Sequence, residues 1–154
     1  MLNRIARFVL VLVFASYAVS AVAGSLISGA DKGPAIGGYD AVAYFTDGKP
    51  TKGSAEFTAG WQGATWQFAS AEHRNLFLEA PEKYAPQYGG YCAYAAAHGS
   101  IAKGSGERWR IVDDKLYLNN NWIAQKLWQG DVPGNIKNSD EKWPSVKSKI
   151  EAKN

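Results

Sequence analysis

The sequence predicts a small, single α+β domain in which antiparallel hairpins pack against short helices, behind a cleaved export signal. Three observations lead there. Two stretches carry strand–turn–strand patterning, Phe57 to Ala69 and Arg108 to Asn119. Two helical stretches between and after them open on good N-caps, Ser70 and Asn121. The first residues have the charge and hydropathy order of a secretory signal.

Arg4 and Arg7 form the basic start of that signal, and no acidic residue precedes Asp31. Phe8 to Phe14 is continuously apolar, and Ala21 and Ala23 supply the small-x-small pattern of a peptidase site. Cleavage after Ala23 is expected, which makes residues 1–23 a signal peptide and the mature protein periplasmic. The apolar run is short for a membrane span, so no membrane association is expected after cleavage. Residues 24–35 are rich in Gly, Ser and Ala and read as a flexible leader. The domain proper is expected over 36–146, with a helical tail over 147–154.

Tyr39 to Phe45 is a first core segment too densely apolar to separate a strand from a helical turn, and Asp47-Gly48 signals a turn. In the first hairpin, Ala64, Trp66 and Phe68 alternate onto one face. Ser70 then caps a helix over 71–80, with Glu72 in its first turn where the helix dipole favours negative charge. His73, Leu76, Phe77 and Ala80 share one side of that helix, and Pro81 ends it. Residues 103–107, with two glycines, read as a flexible loop. The second hairpin turns at Asp113-Asp114, a weaker signal than Asp-Gly because neither residue takes positive φ as easily. Asn121 caps a helix over 122–129, whose apolar surface is expected from Trp122, Ile123, Leu127 and Trp128, and Gly130 stops it. Asp131 to Gly134 reads as a turn, and a last helix is expected from Pro144 through Val146 and Ile150.

Loss of residues 1–23 takes two of 17 basic residues and none of 14 acidic ones, which leaves a net charge of +1. With no basic stripe, nucleic acid is not an expected partner. The chain has one cysteine, so it forms no internal disulfide and its fold rests on its core. That cysteine, Cys92, sits among Tyr84, Tyr88, Tyr91 and Tyr94. Gly89 and Gly90 stand just before it, where the backbone can turn or let another group approach. A lone thiol in an oxidising compartment must be buried or liganded to survive.

Several phrases together resemble a known family: Gly38 to Phe45, Gly63 to Glu72, Phe77, Pro81 to Tyr94, Trp109 to Asp113, Lys115 to Asn119 and Trp143-Pro144. In order and over residues 36 to 146, they are similar to the YHS-domain proteins that bacteria export. The resemblance implies a compact α+β unit related to the TRASH metal-binding modules. It also implies metal binding, copper above all, since such domains accompany copper-transporting ATPases and oxygenases. Larger relatives carry more cysteines than this chain.

The donors available to a metal after signal removal are Cys92, His98 and His73, beside hard oxygen ligands. Soft sulfur with imidazole suits copper or zinc. Each residue also has an ordinary reading. Cys92 can be a buried small apolar residue, His98 a loop histidine in water, and His73 a core histidine with its ring nitrogens satisfied. Three such donors cannot complete a four-ligand structural zinc site, so a carboxylate such as Asp40, a water or a second protein must fill the shell. The expectation is that Cys92 lies within roughly 4 Å of an imidazole nitrogen, as metal bond lengths require. The six tryptophans and the tyrosines read as core. Gly104-Ser105-Gly106 lacks the setting of a nucleophile elbow, and no phosphate-binding loop is present.

Three functions are therefore weighed. The first is a periplasmic metal-binding accessory or carrier, with a metal ion and a metal-handling protein as partners and Cys92, His98 and His73 as ligands. The second is a module for a protein or small ligand without metal. The third is a thiol-dependent enzyme using Cys92 with a histidine.

Overall fold

In the computed structural model, which describes residues 25–153, the chain is α+β and forms one small domain. Among the described residues it has two antiparallel hairpins and six α-helices. Asp40 makes the first helical turn. Its Oδ1 accepts the Val42 and Ala43 amides at 2.9 and 3.2 Å, so α1 (Ala43–Thr46) starts where backbone donors would otherwise be unpaired. Strands β1 (Ser54–Trp61) and β2 (Ala64–Phe68) pair through a two-residue turn at Gln62-Gly63, both with positive φ. The predicted alternation holds, because Ala64, Trp66 and Phe68 are buried.

Helix α2 (Ala71–Glu79) begins at Ser70, whose Oγ accepts the His73 amide at 3.1 Å. It buries Phe77 against Trp66 and Phe68, with ring centroids 5.0 Å apart in both pairs. The short α3 (Pro81–Tyr84) follows, and α4 (Ala93–Ala97) starts directly after Cys92. Strands β3 (Ser105–Val112) and β4 (Lys115–Asn119) turn at Asp113-Asp114, where both aspartates take positive φ. Helices α5 (Trp122–Gly130) and α6 (Val132–Glu151) end the chain.

The β3–β4 hairpin divides the core, because alternate side chains of β4 point to opposite faces. Leu116 and Leu118 join Trp66, Phe68, Phe77 and Tyr44 on one side. Tyr117 joins Tyr88, Ala93, Ala96 and Trp128 on the other. The alanines of α4 let α6 come close enough for direct bonds: Ser139 donates to the Ala93 carbonyl at 2.9 Å and Lys142 to that of Ala97 at 2.8 Å.

Four local expectations are corrected. The segment read as a flexible leader is packed: Ile27 and Ala35 belong to the first core cluster, and the Ser28 amide donates to the Gly89 carbonyl at 2.8 Å. A Cβ at Gly89 would collide with the Leu26 carbonyl, so the close approach that this glycine permits is by the chain's own backbone. The 103–107 stretch is likewise held, with the Gly104 amide on the Gly90 carbonyl at 3.2 Å and β3 starting at Ser105. The last helix does not wait for Pro144. It starts after Asp131, which caps it by accepting the Gly134 amide at 3.0 Å, and runs through Pro144. Packing on α4 and burial of Val146 and Ile150 outweigh the one backbone bond that Pro144 cannot make. Finally, of the four apolar residues expected to pack α5, only Trp128 is buried. The expected signal peptide and its cleavage point lie outside the described residues.

Candidate functional site

Cys92 ends the loop that leads into α4. Its amide donates to the Ala102 carbonyl at 2.8 Å and its carbonyl accepts the Ala96 amide at 3.0 Å, so the backbone here is fixed on both sides. The thiol is 2% exposed. Its partner is Asn119, whose Oδ1 lies 3.6 Å from Sγ and also accepts the Tyr94 amide at 3.1 Å. An amide oxygen accepts, so it pairs with the protonated thiol and gives no support to a thiolate. The Nδ2 of Asn119 is buried and has no hydrogen-bond partner among the described residues.

His98 stands at the other end of α4. It is exposed, its Nδ1 lies 2.8 Å from the Tyr94 carbonyl, and its ring centroid lies 4.4 Å from that of Tyr94 at a tilt of 47°. Cys92 and His98 are thus the two cap residues of one five-residue helix. At about 1.5 Å of rise per residue, the helix holds them roughly 9 Å apart along its axis. The sequence spacing of six residues spans this helix and does not fold back as a turn would.

His73 is used differently. As the third residue of α2 it is brought against Asp40, whose carboxylate is fully buried. Oδ2 of Asp40 accepts the Ala69 amide at 2.9 Å and lies 2.7 Å from His73 Nδ1. With Oδ1 on the two α1 amides, this carboxylate joins the start of α1, the end of β2 and the first turn of α2. It is saturated by these donors, which removes Asp40 from the set of groups able to fill a metal shell. Its role is to orient, because a carboxylate at Nδ1 holds the ring with Nε2 toward Thr46 and Asp47. Nε2 lies 3.2 Å from the Thr46 hydroxyl and 3.9 Å from a carboxylate oxygen of Asp47. The ring is largely buried, with 14% of its side chain exposed, while Asp47 is exposed.

The structure therefore gives each of Cys92, His98 and His73 a separate set of partners. The contact expected between Cys92 and an imidazole is replaced by the bond to Asn119. Among the described residues, no group of three or more His, Cys, Asp or Glu side chains is placed to hold a metal ion. Thr46, Asp47 and Asn119 escaped the sequence reading. Asp47 was visible only as the first residue of a turn with Gly48. What could have exposed it was the capping role of Asp40, which fixes the length of α1 and so sets Thr46 and Asp47 beside α2.

Two tyrosines frame these corners. Tyr44 donates to the Gly106 carbonyl at 2.8 Å, and burial raises its phenol well above the usual range. Tyr88 donates to Asp140 at 2.7 Å, and burial first, then that bond, raises its phenol too. Both are fixed as neutral donors and serve packing.

Residues 42–88 match the model of the YHS domain. The matched stretch includes Thr46, Asp47 and His73 and leaves out Cys92 and His98. The YHS domain is a family connected with metal binding. No curated protein and no solved structure matches the chain. No helix among the described residues is long and apolar enough to cross a membrane.

Proposed function

We propose, from the premise that this chain carries a YHS domain, that it is an exported metal-binding accessory protein which takes up and releases a divalent ion at His73. The supporting observation is the Asp40–His73 pair: a buried carboxylate at 2.7 Å holds Nδ1 and leaves Nε2 toward the surface beside Asp47 and Thr46. A carboxylate behind a histidine is the arrangement that fixes ring orientation and raises the basicity of the ligating nitrogen.

The donor set suits the ion it would hold. One imidazole, one carboxylate and one hydroxyl favour a borderline metal such as zinc or copper(II) over copper(I), for which the only thiol is sealed away. Three protein groups of this kind leave positions for water or for a donor from another protein. That suits a carrier or delivery role in the periplasm better than a permanent structural site. In this reading Cys92 packs, and His98 is a surface residue. The thiol-dependent enzyme loses its basis, since the neighbour of Cys92 is an amide oxygen and not a base.

Titration of the mature protein with zinc or copper(II), followed by calorimetry and by the imidazole resonances, tests this. His73→Ala is expected to weaken binding by at least about tenfold and Asp40→Asn by about 10–100-fold, while Cys92→Ser leaves it unchanged. Binding that depends on Cys92 and ignores His73 overturns the assignment. An absence of any metal affinity leaves the non-metal interaction module in its place. Fractionation of cells that express the full chain tests export, and retention of an unprocessed form in the membrane contradicts it.

A further inference from the structure

Two surfaces of this molecule complement each other in polarity and charge, and from them we infer that a second copy of the chain is the partner: the outer face of α5 of one copy seats in the groove between the β3–β4 turn and α6 of the other. This inference is independent of the metal reading.

The outer face of α5 is apolar where solvent meets it. Trp122, Ile123 and Leu127 are 59%, 53% and 51% exposed, and three large side chains together on one helix mark an interaction surface. Helical spacing sets them, with Lys126, opposite the buried Trp128. The helix contains no acidic residue.

The groove has the opposite character. It encloses about 470 Å³ over an apolar floor of Val112, Val132, Pro133 and Ile136. Its rim carries Asp113, Asp140 and Glu141 against Lys137 alone. The floor offers cover for an indole or a leucine, and the rim offers carboxylates to Lys126. Pairing α5 with α5 would oppose like positive charges, and pairing groove with groove would oppose carboxylates. Only the crossed pairing satisfies both surfaces. Helix α5 ends at Gly130 and the α6 wall of the groove begins at Val132, so the two surfaces adjoin on the chain. A two-fold axis beside them lets each copy give its helix and receive the other's.

Sedimentation of the mature protein from micromolar to near-millimolar concentration tests this, together with Trp122→Ser/Leu127→Ser and Glu141→Lys. All three side chains are exposed, and unchanged unfolding curves confirm that the variants are folded. The wild type is expected to form a dimer that weakens as salt is raised. Each variant alone should dissociate with at least about a tenfold loss of affinity. The two variants mixed should form a heterodimer, because one of the two contacts survives. The proposal is overturned if the wild type stays monomeric, whether or not it then sediments with phosphatidylglycerol vesicles. It is equally overturned by a dimer that strengthens with salt and ignores Glu141→Lys, which would be a helix-on-helix stack, or by a mixture that forms no heterodimer.

Discussion

The corner around His73 lies where α1, β2 and α2 meet, Cys92 lies alongside β4, and each holds a residue type that chemistry can use. Their surroundings differ in one respect. At His73 the buried partner is a carboxylate, which commits one ring nitrogen and turns the other toward the exposed Thr46 and Asp47. At Cys92 the buried partner is an amide oxygen that also accepts the Tyr94 amide, so the sulfur is turned inward. Residue type alone favoured Cys92, since it is the only thiol in the sequence. The partner decides otherwise: a reactive atom is available only where its neighbours leave a valence toward solvent.

The largest effect that could break this comparison is at Asp40. Asp40→Ala leaves the Val42, Ala43 and Ala69 amides and the His73 ring without their acceptor. A loss of about 3–5 kcal/mol in denaturant unfolding is expected, as for removal of one member of a buried charged network. A loss near zero would mean that the carboxylate is not what builds the corner.

Alkaline unfolding gives the next effect and compares the two sides directly. Tyr44 has its phenol raised on one side and Tyr88 on the other. A raised folded pKa means that the unfolded chain ionises first. The stability from these phenols is therefore intact below the ordinary tyrosine value near pH 10 and is lost as pH climbs beyond it. For the fully packed Tyr44 the slope approaches about 1.4 kcal/mol per pH unit. Tyr44→Phe should flatten the stability–pH curve above that point more than Tyr88→Phe does. Equal slopes for both variants would show that the two sides are buried alike.

The smallest effects sharpen the contrast within α4. Cys92→Ala should cost roughly 1–2 kcal/mol, for a lost weak bond and a small void. Iodoacetamide should label native Cys92 only as fast as the chain opens. His98→Ala should stay within about 0.5 kcal/mol of wild type, as an exposed residue does. Rapid native labelling would return Cys92 to the list of functional groups.

Much of the local structure was legible. Ser70 and Asn121 cap the helices expected of them, and the 64–68 alternation sorts buried from exposed residues as drawn. Such features depend on contacts between residues close in sequence. The readings that failed depend on distant ones. The 24–35 segment looks like a linker by composition, yet Ile27 and Ala35 are buried, and Gly89 has no side chain to keep the Leu26 backbone out. Pro144 looks like a helix start and sits within a helix because α4 offers a surface of alanines for α6 to cover.

By itself the sequence determined the α+β class, both hairpins, the capped starts of α2 and α5 and the small set of side chains with metal-binding chemistry. Each of these follows from short-range periodicity, capping or composition. Only the tertiary structure decided which of those side chains faces outward. The orientation of His73 is set by Asp40, 33 residues earlier, and that of Cys92 by Asn119, 27 residues later. Pairings over such distances are selected by the packed core, where leaving a buried donor or acceptor unpaired costs more than any local preference can return.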